Sequence, residues 1–149
     1  MGILKLKSIP KKTLNDVHVL IVDDDEFFLD AMIFELKRHG IQVIGAQNGN
    51  EAFEYIQNNS IDIVISDVRM PNGSGIELLE KVHSSAPYLP VVMLVTGFAD
   101  ITSEEAHDKG ASALFSKPFQ SSDLVEAIKK WLITRTLKPV RDLWVFLWM

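Results

Sequence analysis

The sequence predicts an α/β protein in which five parallel strands alternate with five helices, a doubly wound (βα)5 sheet, and three observations predict it. Short, almost unbroken runs of Val, Ile and Leu recur along the 149 residues, a pattern that suits strands covered on both faces. Between them lie segments whose apolar residues return every three or four positions, as on one face of a helix. The two kinds of segment alternate strictly, and right-handed crossovers then place helices on both faces of one parallel sheet.

The first strand is "VHVLIV" (17–22). It runs straight into Asp23, Asp24, Asp25 and Glu26, four adjacent carboxylates whose mutual repulsion needs solvent or a cation to offset it. Asp25 and Glu26 fall at the start of the first helix, where the helix dipole favours negative charge. In that helix Phe28, Leu29, Met32, Ile33 and Leu36 share a face, and Gly40 stands where a left-handed C-cap belongs. "IQVIGA" (41–46) is the second strand, followed by a helix with Ala52, Phe53 and Ile56 on its apolar side. "IDIVIS" (61–66) is the third, followed by Ile76, Leu79 and Val82. After the fourth strand, "VVMLVT" (91–96), Thr102 and Glu105 have the spacing of a capping box on a short helix that Gly110 closes. The fifth strand is "ASALFS" (111–116), and the fifth helix runs from about Ser121 to Arg135 with Leu124, Ile128, Trp131 and Leu132 on one stripe.

Composition narrows the function. Apolar residues make up 47% and charged residues 23% of the chain, as in a globular protein with a core large enough to need no staple. The absence of cysteine excludes disulfides, thiolate zinc sites and cysteine nucleophiles, and it is compatible with the cytoplasm. A formal charge of −5 offers no general attraction to nucleic acid or anionic lipid. Lys5, Lys7, Lys11 and Lys12 make residues 1–15 a basic arm, read as a solvated tail. No stretch has the length of a membrane span or the apolar core of a signal peptide.

In an open α/β sheet, ligands bind beyond the carboxyl ends of the strands. Here those ends carry Asp23 and Asp24, Asp67, Thr96 and Lys117. Any one of them could be a solvated turn residue; together they converge on one rim. Three carboxylates form an oxygen-rich pocket suited to Mg2+, a hard ion that accepts a few carboxylates and keeps several waters.

"IVDDD", "ISDVRMPNGSG", "LVTG" and "SKPF", in this order after the first, third, fourth and fifth strands, resemble the receiver domain of two-component response regulators, of the single-domain chemotaxis and sporulation type. The resemblance covers residues 16–134 and implies a flavodoxin-like fold with strand order 2-1-3-4-5. It makes Asp67 the phosphoacceptor for a sensor histidine kinase or phosphotransfer protein. It gives Mg2+ to Asp24, Asp67 and the backbone carbonyl of Arg69, with Asp23 acting through a water. Phosphoryl transfer asks mainly for positioning and charge neutralisation, and Thr96 and Lys117 would each take one phosphoryl oxygen. Gly97 would leave the approach open, and a cis peptide before Pro118 would aim Lys117 inward. Such a chain catalyses its own phosphorylation and dephosphorylation and is not a turnover enzyme. Its output face is that of the fourth helix, fifth strand and fifth helix, which with the tail is a candidate dimer surface.

Three positions depart from the family pattern. Ser74 replaces the usual Asp, harmlessly, because Ser74 and Glu77 keep capping-box spacing. Leu114 stands where many receivers have Tyr or Phe, and Phe115 cannot substitute because neighbouring strand positions face opposite sides of the sheet. Arg69 places a long cation beside the acceptor, where it could either screen the phosphoryl group or contact it. After Pro139, "VRDLWVFLWM" brings Trp144, Phe146 and Trp148 into a tail, 135–149, read as packing on the domain or on a second subunit, with a truncated connection to an output domain as the alternative.

Two other functions compete. A haloacid-dehalogenase-like phosphohydrolase uses similar groups, but its nucleophile ends the first strand in a D-x-D pattern that "DDDEFF" fits poorly. A receiver-like binding module would keep the fold without phosphorylation, a reading that Leu114 keeps open. Dinucleotide binding is disfavoured, since "NGSG" is not G-x-G-x-x-G. His18, His39, His83 and His107 lack metal-ligand spacing.

Overall fold

The apolar runs at 18–22, 63–67 and 91–96 are buried almost throughout because their side chains, pointing alternately to the two faces of the sheet, find cover on both, whereas 42–46 and 113–116 are partly exposed. The computed structural model describes residues 12–85, 90–97 and 100–135. After a single 3-10 turn (Leu14–Asp16) come β1 (His18–Val22), α1 (Glu26–Arg38), β2 (Gln42–Ala46), α2 (Gly49–Asn58), β3 (Ile63–Asp67), α3 (Gly75–Ser85), β4 (Val91–Thr96), α4 (Ser103–Asp108), β5 (Ala113–Ser116) and α5 (Ser121–Thr134). The five strands are parallel in the order β2-β1-β3-β4-β5, so the expected topology is observed.

Alternation along the strands divides the core into two layers. Val19, Ile21, Ile63, Ile65, Met93 and Val95 face α1 and α5, where Leu29, Leu36, Leu124, Ile128 and Trp131 are buried. Leu20, Val22, Val64, Val92 and Leu94 face the other way, onto Ala52 of α2, Leu78, Leu79 and Val82 of α3 and Ala106 of α4. Leu114 packs in the second layer and Phe115 in the first, so the two do lie on opposite faces.

Strand boundaries differ from the sequence reading by small shifts. β3 begins two residues late, and the carboxylate of Asp62 just before it accepts the His18 N–H at 2.9 Å and the Lys12 ammonium at 2.8 Å. It also runs one residue further, so Asp67 is the last residue of the strand itself. The helix signals hold: Asp25 caps α1, Thr102 and Glu105 form the capping box of α4, and Gly40 has a φ of +80°, where a side chain would be strained. Lys5, Lys7 and Lys11 of the arm and Trp144, Phe146 and Trp148 of the tail lie outside the described residues. Among the described residues no helix is long and apolar enough to cross a membrane.

Candidate functional site

β1 and β3 are neighbours although β2 lies between them in sequence, and the crevice at their carboxyl ends is the switch point of the sheet. The register sets β1 and β3 so that Asp23, just after Val22, comes beside the end of β3. Asp23, Asp24 and Asp67 each offer a carboxylate oxygen, and these atoms all lie within 4.8 Å of one another. Asp23 is buried, Asp67 half-buried and Asp24 exposed, so the cluster opens to solvent on the Asp24 side.

Local hydrogen bonding divides the acidic run. Asp25 accepts the N–H groups of Phe27 and Phe28 and so serves the start of α1. Asp23 accepts the Asp25 N–H at 2.8 Å with one oxygen and the Lys117 ammonium at 3.0 Å with the other. Lys117 lies 3.6 Å from Asp67, further than from Asp23. The expected cis peptide joins Lys117 to Pro118.

Burial is the main cause that pushes the Asp67 carboxyl above the usual aspartate range; the charges of Asp23 and Asp24 push the same way, against Lys117 and a hydrogen bond from the Arg69 backbone N–H. Burial acts to lower the pKa of Lys117, but its hydrogen bond to Asp23 and the charges of Asp23 and Asp67 outweigh it and the pKa is raised.

Thr96 ends β4 between the ends of β3 and β5 and is buried. Gly97 is exposed, and a methyl group added there would meet the Lys117 side chain only in ordinary contact. Gly75 is different. A Cβ there would collide with the carbonyl oxygen of Asp67, so only glycine lets α3 start so close behind the strand end. Ser74 accepts the Glu77 N–H at 3.2 Å, as its spacing predicts.

Two features escaped the sequence reading. The guanidinium of Arg69 is paired with Asp100, in the segment before α4. The Phe28 ring, expected simply to pack in the core, lies under the Lys117 ammonium, 4.2 Å from it. Neither had a local signal, because each joins groups on different elements.

A parallel five-stranded sheet with an acidic cluster and a lysine at its switch point defines a flavodoxin-like α/β protein with a charged site at the strand ends. Residues 19–129 match the response regulator receiver domain family, and the chain belongs to it. Among solved structures it is similar to a CheY-like response regulator receiver domain protein of Methanospirillum hungatei, with 34% identity over 80% of this chain and 95% of that one and a TM-score of 0.74. It is also similar to a response regulator receiver domain protein of Clostridium thermocellum (32% identity, 80% and 95% covered, TM-score 0.73). A third, the response regulator protein TrrA of Thermotoga maritima, was solved in complex with Mg2+ and BeF (27% identity, 76% and 97% covered, TM-score 0.70). The haloacid-dehalogenase-like alternative is thereby set aside.

Proposed function

We propose that this chain is a phosphoacceptor: the Asp67 carboxylate attacks the phosphorus of a phosphohistidine on a sensor kinase or phosphotransfer protein. One O–P bond forms, the P–N bond breaks, and the histidine nitrogen leaves with the electron pair. What carries the reading is the gathering of Asp23, Asp24 and Asp67 within 4.8 Å with an ammonium among them. A half-buried carboxylate in a cluster that opens to solvent is placed to react.

The donor set fits Mg2+, being all oxygen and partly open to water. Asp24, Asp67 and the Arg69 carbonyl would hold it, with Asp23 behind a water. Bound there, it would neutralise charge on the phosphoryl oxygens. Lys117 and Thr96 are the remaining candidates to take phosphoryl oxygens, Lys117 from its present place beside Asp23 and Asp67.

The added charge would then bias the elements nearest Thr96 and Lys117, so the α4-β5-α5 face is the proposed surface for a partner or a second copy. We read residues 16–134 as the receiver domain, 1–15 as the basic arm and 135–149 as the apolar tail, working in the cytoplasm. Labelling by acetyl phosphate tests the chemistry: wild type takes label with Mg2+, and neither Asp67→Asn nor Mg2+-free wild type does. A chain that stays unlabelled would instead be the binding module. Size-exclusion with and without beryllofluoride tests the output face, and an unchanged elution at saturation counts against it.

A further inference from the structure

We propose that Phe28 is a positioning residue for Lys117, its ring face holding the ammonium at the edge of the carboxylate cluster before a phosphoryl group arrives. The inference rests on the reading of Asp67 as acceptor and adds the means by which its cation is placed.

Lysine ends in a compact charge on a flexible stem, so two carboxylates alone leave it several arrangements. In this site Asp23 takes it at 3.0 Å, Asp67 stands 3.6 Å away, and the Phe28 ring supplies a third wall at 4.2 Å. The negative face of an aromatic ring attracts an ammonium without taking one of its protons, so the N–H bonds stay available to oxygen ligands. A carboxylate in the same place would satisfy the charge and compete with the phosphoryl group. An aliphatic side chain would fill the space with no such attraction.

The ring is itself held on both sides. Its backbone N–H is bonded to the Asp25 carboxylate at the first turn of α1, which sets where the side chain leaves the helix. Phe119, two residues past Lys117, meets it edge to face, with centroids 5.8 Å apart and planes at 85°. Phe119 in turn lies 6.0 Å from Phe115 of β5. The aromatic row therefore fixes the ring that touches the cation beside the acceptor.

Two readings on the full chain test this, with Phe28→Leu removing the ring face at similar bulk and Phe28→Tyr keeping it. The first is the NMR shift of the Lys117 ε-methylene protons in the Mg2+-free protein. A ring beneath them moves them upfield in wild type and Phe28→Tyr and does not in Phe28→Leu, whereas a purely packing role would not produce that difference. The second is the rate of acetyl phosphate labelling at Asp67, expected to fall roughly threefold to tenfold in Phe28→Leu and to recover in Phe28→Tyr. Equal rates in all three proteins overturn the proposal, and so does a wild type that is labelled but shows no upfield shift. A wild type that shows the shift but takes no label refutes the acceptor reading, and with it any role of Phe28 in transfer. The wild-type shift decides the geometry even if Phe28→Leu does not fold.

Discussion

The guanidinium of Arg69 is engaged by the carboxylate of Asp100, joining the residue two past Asp67 to the segment that leads into α4. This is the resting answer to how a long cation beside Asp67 is used. The Arg69 side chain is 66% exposed, so the pair contributes at most about 1 kcal/mol. A doubly charged phosphoryl group nearby is a stronger competitor for the same guanidinium. Asp100→Asn is therefore expected to leave the fold intact and to tighten beryllofluoride binding in Mg2+ by about threefold. Isothermal titration measures it, and the gain should vanish when Arg69→Gln is added.

Asp67 carries a pKa raised chiefly by burial. The folded protein thus binds that proton more tightly than the unfolded chain does, and the charged form costs stability at neutral pH. In Mg2+-free buffer Asp67→Asn should melt above wild type near pH 7. The gain should shrink as pH falls through the folded pKa towards the ordinary aspartate value. A difference that grows in acid would contradict the assignment.

Mg2+ should raise the melting temperature of wild type by mass action. Asp24→Asn and Asp67→Asn should each weaken its binding by about tenfold or more, about 1.4 kcal/mol. Asp25→Asn is the control. Its carboxylate is bound to the start of α1, and asparagine caps as well, so thermal-shift titrations should give nearly the wild-type affinity.

Gly75→Ala forces a methyl group against the Asp67 carbonyl. The cost should be about 1–3 kcal/mol by thermal melting. Labelling by acetyl phosphate should suffer more than stability does, because the displaced atom belongs to the proposed acceptor. An alanine variant that labels at the wild-type rate would show that the β3 end has slack.

The five strands and the two-layer core were legible because they rest on periodicity, and periodicity is a local property of the chain; the strand order came only from the family resemblance of the motifs at the strand ends. The place of Asp25 at the start of α1 and the capping of α4 by Thr102 were legible because they too are local, since each bond there spans three residues. The carboxylates that share the pocket could be named from the rule that strand ends converge on one edge.

What sequence could not decide is which groups meet there and at what distance. Lys117 prefers Asp23 to Asp67, Phe28 lies under its ammonium, Arg69 binds Asp100, and Lys12 binds Asp62. All four pair side chains on separate elements, and their geometry follows from how α1, the strand ends and the intervening loops pack. Backbone pattern is written into neighbouring residues, whereas the placing of a charge depends on surfaces that exist only once the chain has closed around it.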